Sequence, residues 1–177
     1  MCRTSMTRST WMKGQDVSSP DPVVSNTTPL ISLAGVGLLE LLPAIYSEIW
    51  IPEAVYQEYQ VGRTTHPGTP NLDAYPWLSV HTVTPHPDVP ISLDAGEAAA
   101  LSLALTCSAR LLLLDEQRAR RIAVQLGLPI AGSLTVLIEA KQQGLILLVG
   151  PILDQMVMQG RRISPGLKAR VLMLAGE

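Results

Sequence analysis

The sequence predicts an α/β protein with a mainly parallel sheet that helices cover on both faces. Strand-like and helix-like segments alternate along the chain, which is the order that a parallel sheet with crossover helices requires. Residues 111–114 are four consecutive leucines, as expected of a central strand that is buried on both faces. Apolar residues make up 47% of the 177 residues and charged residues only 16%. The chain can therefore fill one sizeable core, and a disordered chain is excluded.

Local signals place the elements of the first half of the chain. Thr28 and Pro29 form a helix-start signal, with Thr28 as the N-cap and Pro29 at the first helical position. Pro52 opens the helix that follows the second strand. The segment 62–76 is rich in Gly, Pro and Thr and is predicted to be a loop. The strands predicted in this half are 23–26, 45–51 and 77–83, and the helices are 30–34, 37–42 and 53–60.

The second half repeats the alternation with longer helices. Apolar residues at helical spacing dominate the first of them, and the leucine run supplies the next strand. The strands predicted here are 110–114 and 128–131, and the helices are 93–107, 116–126, 133–143, 151–159 and 165–175.

Domain limits and cell compartment follow from composition. Residues 1–21 are rich in Ser, Thr, Met and Arg and lack periodicity, so we predict a flexible N-terminal extension followed by one domain over 22–177. No secretory signal and no apolar stretch long enough for a membrane span is visible. Cys2 and Cys107 offer neither a disulfide framework nor a zinc-ligand spacing. These features predict a cytoplasmic protein.

Two strands end in polar residues that are able to bind a ligand. Asn26 ends the first strand and Asp115 follows the leucine strand. Because ligands bind outside the carboxyl ends of the strands in an open parallel sheet, we expect these two residues to be neighbours. A turn role for Asn26 and a helix-capping role for Asp115 are the alternatives.

Two glutamates fall at or beside apolar helix faces. Glu58 lies at helical spacing from Ala54 and Val55, and Glu97 begins the apolar face of the helix that contains it. Carboxylates buried together repel one another unless a cation offsets their charge, and Mg²⁺ is held by a few carboxylates and waters. Such an ion can activate a water and stabilise charge on a phosphate. Alternatively, Glu58 is exposed, and Glu97 completes a capping box with Asp94.

Four ordered segments resemble a PIN-like family of prokaryotic proteins similar to the VapC-type toxins of toxin–antitoxin pairs. The segments are VVSNTTPLISLAGVGLLELL, IWIPEAVYQE, LDAGEAAALSLAL and LLLLDEQRARRIAVQLGLPIAGSLTVLIEAKQQGLI. The resemblance runs from Val23 to the C-terminus. It implies a three-layer α/β/α sandwich with a mainly parallel sheet and a ribonuclease that depends on Mg²⁺ or Mn²⁺.

The resemblance assigns the metal and catalytic positions to Asn26, Glu58, Glu97 and Asp115. Asn26 departs from the family, which usually has Asp there, and a neutral amide oxygen weakens the expected metal affinity. Supporting roles fall on Thr27, Thr28, Glu116 and Ser133.

RNA contacts must come from local positive charge, because the net charge is −2. We predict them at Arg118, Arg120 and Arg121, although these residues also fit a solvated helix face. A second basic cluster comprises Arg161, Arg162, Lys168 and Arg170. The resemblance also implies a small antitoxin partner and a homodimer.

Two other functions compete with the nuclease. A catalytically impaired PIN-fold module that acts by binding protein or RNA fits the neutral Asn26 and the negative net charge. A phospho-acceptor receiver domain needs an acidic pair after the first strand and a Lys after a late strand, and neither is present. Glycine-rich nucleotide-binding motifs are also absent from the sequence.

Overall fold

A single parallel sheet organises the chain. The computed structural model describes residues 21–65 and 69–177, and the strand order in this part is β3-β2-β1-β4-β5. Each of the four neighbouring pairs is parallel. The strands are β1 (Val23–Ser25), β2 (Ile49–Pro52), β3 (Leu78–His81), β4 (Leu111–Leu113) and β5 (Ile130–Ala131). The predicted α/β class with a mainly parallel sheet is confirmed.

Helices follow the strands and complete an α/β/α sandwich. In the described ranges they are α1 (Thr27–Gly35), α2 (Leu41–Tyr46), α3 (Glu53–Thr65), α4 (Ala95–Thr106), α5 (Gln117–Gln125), α6 (Ser133–Gln142), α7 (Gly150–Met158) and α8 (Pro165–Ala175). A short 3₁₀ helix covers Leu72–Ala74. Helix α4 lies against β1, β2, β4 and α3, whereas α6 packs against α1, α2 and α8. The sheet therefore has helices that protect its central strands, β1 and β4.

The first helix begins earlier than predicted. Helix α1 starts at Thr27, with Asn26 in the N-cap position and Pro29 as its third residue, so the prediction of Thr28 as the N-cap is wrong. The early start is possible because the first residues of a helix need no intrahelical partner for their N–H groups, so proline is tolerated there. The Asn26 N–H instead pairs with the Leu113 carbonyl oxygen at 3.0 Å. The chain thus leaves the strand and enters the helix without a loop.

The second strand was predicted too long at its start, and the preceding helix was misplaced. Ile45 and Tyr46 belong to α2, and the strand begins only at Ile49. Ser47 takes a positive φ of 71° and ends the helix. The Tyr46 hydroxyl donates to Glu139 at 2.6 Å. This tertiary contact favours the helix over the local strand preference of Ile45 and Tyr46.

The predicted loop after α3 is partly helical. Helix α3 continues to Thr65, and within residues 69–76 the 3₁₀ helix covers Leu72–Ala74. The predicted N-terminal extension lies outside the described residues except for Asp21, so it stays a prediction.

The core lies where the central strands meet the helices. Val24, Ile51, Leu112 and Leu113 are fully buried, as is Leu101 of α4. Leu112, Leu113 and Leu114 of the leucine run are buried as predicted, whereas Leu111 is half-buried. Because β1 and β4 are adjacent and parallel, their carboxyl ends open at one edge of the sheet, next to the first turns of α1 and α5.

Candidate functional site

Asn26 has a buried oxygen that lacks a partner. The residue is 4% exposed, and its Oδ1 atom accepts no hydrogen bond within the described part of the chain. Its backbone is well bonded, because the N–H donates to Leu113 and the carbonyl accepts from the Ser25 hydroxyl at 2.9 Å. A buried acceptor without a partner costs about 1–3 kcal/mol. A buried acceptor of this kind is expected to bind a ligand, such as an ion or a water, or to have a functional role that offsets the cost of its burial.

Glu58 reaches this position from α3. The Thr27 hydroxyl donates to Glu58 Oε2 at 2.6 Å, and Thr27 itself is 3% exposed. Glu58 is exposed, and the buried residues nearest to it on the helix are Val55 and Tyr59. Of the two predicted placements, at or beside the apolar stripe, the structure shows the second, and Glu58 is exposed as the alternative states. Its carboxylate extends from the exposed side of the helix to the end of β1.

Gly96 makes room for the Glu58 carboxylate. A Cβ atom at this glycine would lie 2.3 Å from Glu58 Oε2 and 3.4 Å from Asn26 Oδ1. Gly96 was not among the residues predicted from the sequence. A glycine inside the first turn of a helix is the available signal, since glycine disfavours helix and needs a reason to be there. We call Asn26, Thr27, Glu58 and Gly96 the Asn26 cluster.

Glu97 adds a buried carboxyl group next to Gly96. It is 5% exposed, and its backbone N–H donates to Asp94 Oδ1 at 2.8 Å, so Asp94 caps α4 as the capping-box alternative predicts. Burial raises the pKa of Glu97, the charges of Asp94 and Glu116 raise it further, and Arg118 lowers it. Glu97 is thus close enough to the start of α5 for the two charged residues there to affect it.

Asp115 is held by two partners on the other side of β4. Its Oδ1 accepts the Ser133 N–H at 2.8 Å, and its Oδ2 accepts from Arg161 Nη2 at 2.9 Å. Arg161 Nη2 also donates to the Ser133 hydroxyl at 3.2 Å. The Asp115 side chain is 11% exposed. We call Asp115, Ser133 and Arg161 the Asp115 cluster.

This arrangement changes the predicted capping role of Asp115. The N-cap position of α5 is Glu116, which makes no side-chain capping bond, so Asp115 does not cap the helix that follows it. Asp115 instead accepts the backbone N–H of Ser133, the first residue of α6, whose N-cap is Gly132. Gly132 has no side chain to use, and a Cβ there would lie 2.6 Å from Asp115 Oδ1.

The predicted RNA-binding arginines divide into two kinds. Arg120 is half-buried and donates to the Leu114 carbonyl oxygen at 2.6 Å, so it stabilises the end of the leucine strand. Arg118 and Arg121 are exposed on α5, and Arg121 donates to the Gln117 carbonyl oxygen at 3.4 Å. The exposed pair remains available for phosphate groups. Their role as RNA contacts stays a prediction.

The acidic residues do not form a ready-made metal cage. Among residues 21–65 and 69–177, no three His, Cys, Asp or Glu side chains are arranged to hold a metal ion. The structure brings Glu58 to Asn26 and brings Asp115 to Ser133 and Arg161. Of the four predicted metal positions, Asn26 and Glu58 therefore lie in one cluster, Asp115 lies in another, and Glu97 follows Gly96 on α4. Their joint action at one ion stays a prediction.

The Asn26 cluster has the chemistry that a hard divalent cation requires. Amide and carboxylate oxygens are the ligands that Mg²⁺ and Mn²⁺ prefer. Asn26 Oδ1 is buried without a hydrogen-bond partner, and the Glu58 carboxylate lies beside it. Asp115 is different, because each of its oxygens already has a partner.

The fold and these residues define a class: a parallel α/β domain whose polar side chains lie outside the carboxyl ends of its central strands. Comparison with known proteins identifies the family. A family model described as DUF3368, a PIN domain, matches residues 22–177, so the chain belongs to this PIN-domain family. The resemblance to PIN-like proteins is confirmed. No curated protein matches the chain.

PIN domains are generally nucleases, and they usually use divalent metals. Within the described ranges, no helix has both the length and the apolar content that are needed to cross a membrane.

Proposed function

We propose that the chain is an endoribonuclease that needs Mg²⁺ or Mn²⁺ to hydrolyse RNA phosphodiesters. The observation that carries this proposal is the buried, unpartnered Oδ1 of Asn26 beside the carboxylate of Glu58. The family supports it, because PIN domains are generally nucleases. An acceptor oxygen that is left without a partner is costly in a stable fold, and cation binding would offset that cost.

The proposal assigns a role to each of the four predicted metal ligands and to Thr27. Asn26 and Glu58 hold the cation, and Glu97 and Asp115 complete its ligand set. Thr27 is a positioning residue, because its hydroxyl bond to Glu58 selects one orientation of the carboxylate. When bound, the cation lowers the pKa of a water and stabilises the charge that develops on the phosphate.

RNA is proposed to approach over α5. Arg118 and Arg121 are exposed on this helix, and Arg118 is near enough to Glu97 to lower its pKa. Contacts from these arginines to the RNA backbone position the chain without selecting a sequence. Because the net charge is −2, this local positive charge must offset the general repulsion between the protein and RNA.

A matched pair of glutamate substitutions on α3 tests the reaction. The assay measures cleavage of a fluorescent RNA with Mn²⁺. Glu58→Gln removes the charge beside Asn26, and we expect a fall in rate of at least about 100-fold, because even outer-shell residues of metal sites cost 10–100-fold. Glu53→Gln is the control, because Glu53 is exposed in the first turn of the same helix. Equal rates for the two variants would contradict the proposal.

We further propose that the chain is the toxin component of a cytoplasmic toxin–antitoxin pair, with a small antitoxin and a homodimeric state. The sequence resemblance to VapC-type toxins supports this finer assignment. Expression in bacteria is expected to stop growth, and Glu97→Gln is expected to restore it. Normal growth on expression of folded protein, with or without that change, would argue against a toxin.

A non-catalytic PIN-fold module is the second candidate. Two observations favour it: Asn26 is neutral, and the guanidinium of Arg161 already neutralises Asp115. In this case the purified chain binds RNA or a protein partner but cleaves no RNA at any Mn²⁺ concentration. Cleavage that Glu58→Gln abolishes and Glu53→Gln preserves would exclude this candidate.

A further inference from the structure

The connection between α7 and α8 brings a positive charge to the end of β4. Gly160 takes a φ of +91° just after α7, and the Arg161 N–H closes the turn on the Met156 carbonyl oxygen at 3.0 Å. The Gln159 side chain donates to the Gly35 carbonyl oxygen at 2.6 Å, which fastens the same turn to α1. These two hydrogen bonds, one to α7 and one to α1, thus fix the position of the Arg161 backbone.

The Arg161 guanidinium and Asp115 form a partly buried ion pair. Their side chains are 28% and 11% exposed, with 2.9 Å between Nη2 and Oδ2. Arginine cannot lose its proton in a protein, so its charge is permanent. Partial burial reduces screening by solvent relative to a surface pair. The charges of Asp115 and Arg161 therefore compensate each other in this arrangement.

Orientation of Asp115 does not require a charged partner. The Ser133 N–H already fixes Oδ1 at 2.8 Å, and Gly132 leaves space for that oxygen. What Arg161 adds is positive charge at Oδ2, the carboxylate oxygen that does not accept the Ser133 N–H. A divalent cation that approached Asp115 would meet this charge at a distance of a few ångströms, where repulsion is strong.

We propose that Arg161 is a built-in competitor for the divalent cation, and that Asp115 becomes a ligand only when the Arg161–Asp115 pair opens. The inference rests on the proposed function, since it concerns regulation of the same site. Arg161 holds the protein in a state in which Asn26, Glu58 and Glu97 serve the cation without Asp115. The affinity of the chain for Mn²⁺ is consequently lower than its four oxygen-bearing side chains would provide without Arg161.

The direction of one binding change distinguishes competition from simple positioning. Titration calorimetry measures Mn²⁺ binding to the full chain in RNA-free buffer. Arg161→Gln removes the competing charge, and we expect binding about tenfold tighter or more. Arg162→Gln is the matched control, because Arg162 is the exposed neighbour in the same connection, and we expect unchanged binding. A positioning role for Arg161 would give weaker binding in Arg161→Gln.

A double substitution assigns the gain to Asp115. Adding Asp115→Asn to Arg161→Gln is expected to abolish the increase in affinity, because the freed carboxylate is then absent. Melting curves in EDTA check that each variant is folded. If Gln destabilises the connection, Arg161→Met keeps the aliphatic stem and must show the same tighter binding.

The possible outcomes separate the inference from the nuclease proposal. Equal or weaker Mn²⁺ binding in Arg161→Gln overturns the competition. If Arg161→Gln shows no tighter binding but Asp115→Asn alone weakens Mn²⁺ binding, the proposed metal site remains supported and only the competition by Arg161 is wrong. If neither the parent chain nor any Arg161 variant binds Mn²⁺, the competition and the metal-dependent nuclease are both wrong.

Discussion

Gly96→Ala is the sharpest test of the Asn26 cluster, because it adds only one methyl group. That methyl would lie 2.3 Å from Glu58 Oε2 and 3.4 Å from Asn26 Oδ1. The carboxylate oxygen must retreat by about 1 Å to reach an ordinary van der Waals separation. Glu58 is exposed and can move, so the backbone is expected to stay in place. The movement breaks the 2.6 Å bond from Thr27.

Stability and activity are expected to respond in different ways. Replacing glycine by alanine in a helix stabilises it by about 0.5–1 kcal/mol, and loss of the Thr27 bond costs about 0.5–1.5 kcal/mol. The free energy of unfolding should therefore change by less than about 1 kcal/mol, or about 2–4 °C in melting temperature. A displacement of about 1 Å at a reacting centre can cost about 100-fold in rate. Mn²⁺-dependent RNA cleavage is expected to fall by that order.

Gly166→Ala is the matched control for this experiment. Gly166 is the second residue of α8, as Gly96 is of α4. Both helices have an N-cap side chain that accepts the N–H of the third residue. Among the described residues, apart from its chain neighbours and the backbone of its own helix, no atom lies within 4 Å of a Cβ added at Gly166, so its variant should keep full cleavage. The reasoning is refuted if Gly96→Ala cleaves as fast as Gly166→Ala, or if Gly96→Ala does not fold.

Two further substitutions test single atoms. Asn26→Asp places a second charge beside Glu58, so we expect a lower melting temperature in EDTA and tighter Mn²⁺ binding in calorimetry; unchanged affinity would count against Asn26 as a ligand. Glu177→Gln tests a different contact, because N–H groups of Val149 and Gly150 lower the pKa of Glu177 below its ordinary 4.5. Its ionised form thus stabilises the fold above pH 4.5, and this stability is lost as pH falls through the lowered pKa. The melting temperature of the variant should be lower than that of the parent chain at pH 7 and equal to it in strong acid. A difference in melting temperature that persists in acid would contradict this account.

Much of the fold follows from features that are local in sequence. Alternating segments and the leucine run predict a parallel sheet, and Pro52 predicts the start of α3 at Glu53. The boundary between α2 and β2 was wrong because Ile45 and Tyr46 have side chains that favour strands. The Tyr46 bond to Glu139 joins residues 93 positions apart. A contact of that range overrides local preference and cannot be predicted from the segment itself.

The candidate site shows the same limit more strongly. Asn26 and Asp115 were placed at one sheet edge from strand order alone, and that placement agrees with the structure. Gly96 acts through the space that it leaves, and its mark in the sequence is a glycine in the first turn of a helix, which does not reveal which side chain fills that space. Arg161 meets Asp115 across 46 positions of sequence, so it was assigned to a basic cluster by composition. Which charges pair depends on tertiary packing, and sequence spacing does not encode it.

The two clusters differ in charge compensation: the Asn26 cluster lacks a positive partner in the described chain, whereas Asp115 is already paired with Arg161. This contrast determines how substitutions should combine. The Asn26 cluster has acceptor oxygens and no cation beside them in the described chain, so changes at Asn26 or Glu58 should alter Mn²⁺ affinity directly. The Asp115 cluster contains its own cation, so Asp115→Asn removes a charge that Arg161 already compensates. Its effect should be small in the parent chain and large once Arg161 is neutral. Residues that share a partner are expected to show such non-additivity. If the four side chains were instead equivalent ligands of one ion, substitution of any one of them would weaken binding, whatever residue stands at position 161.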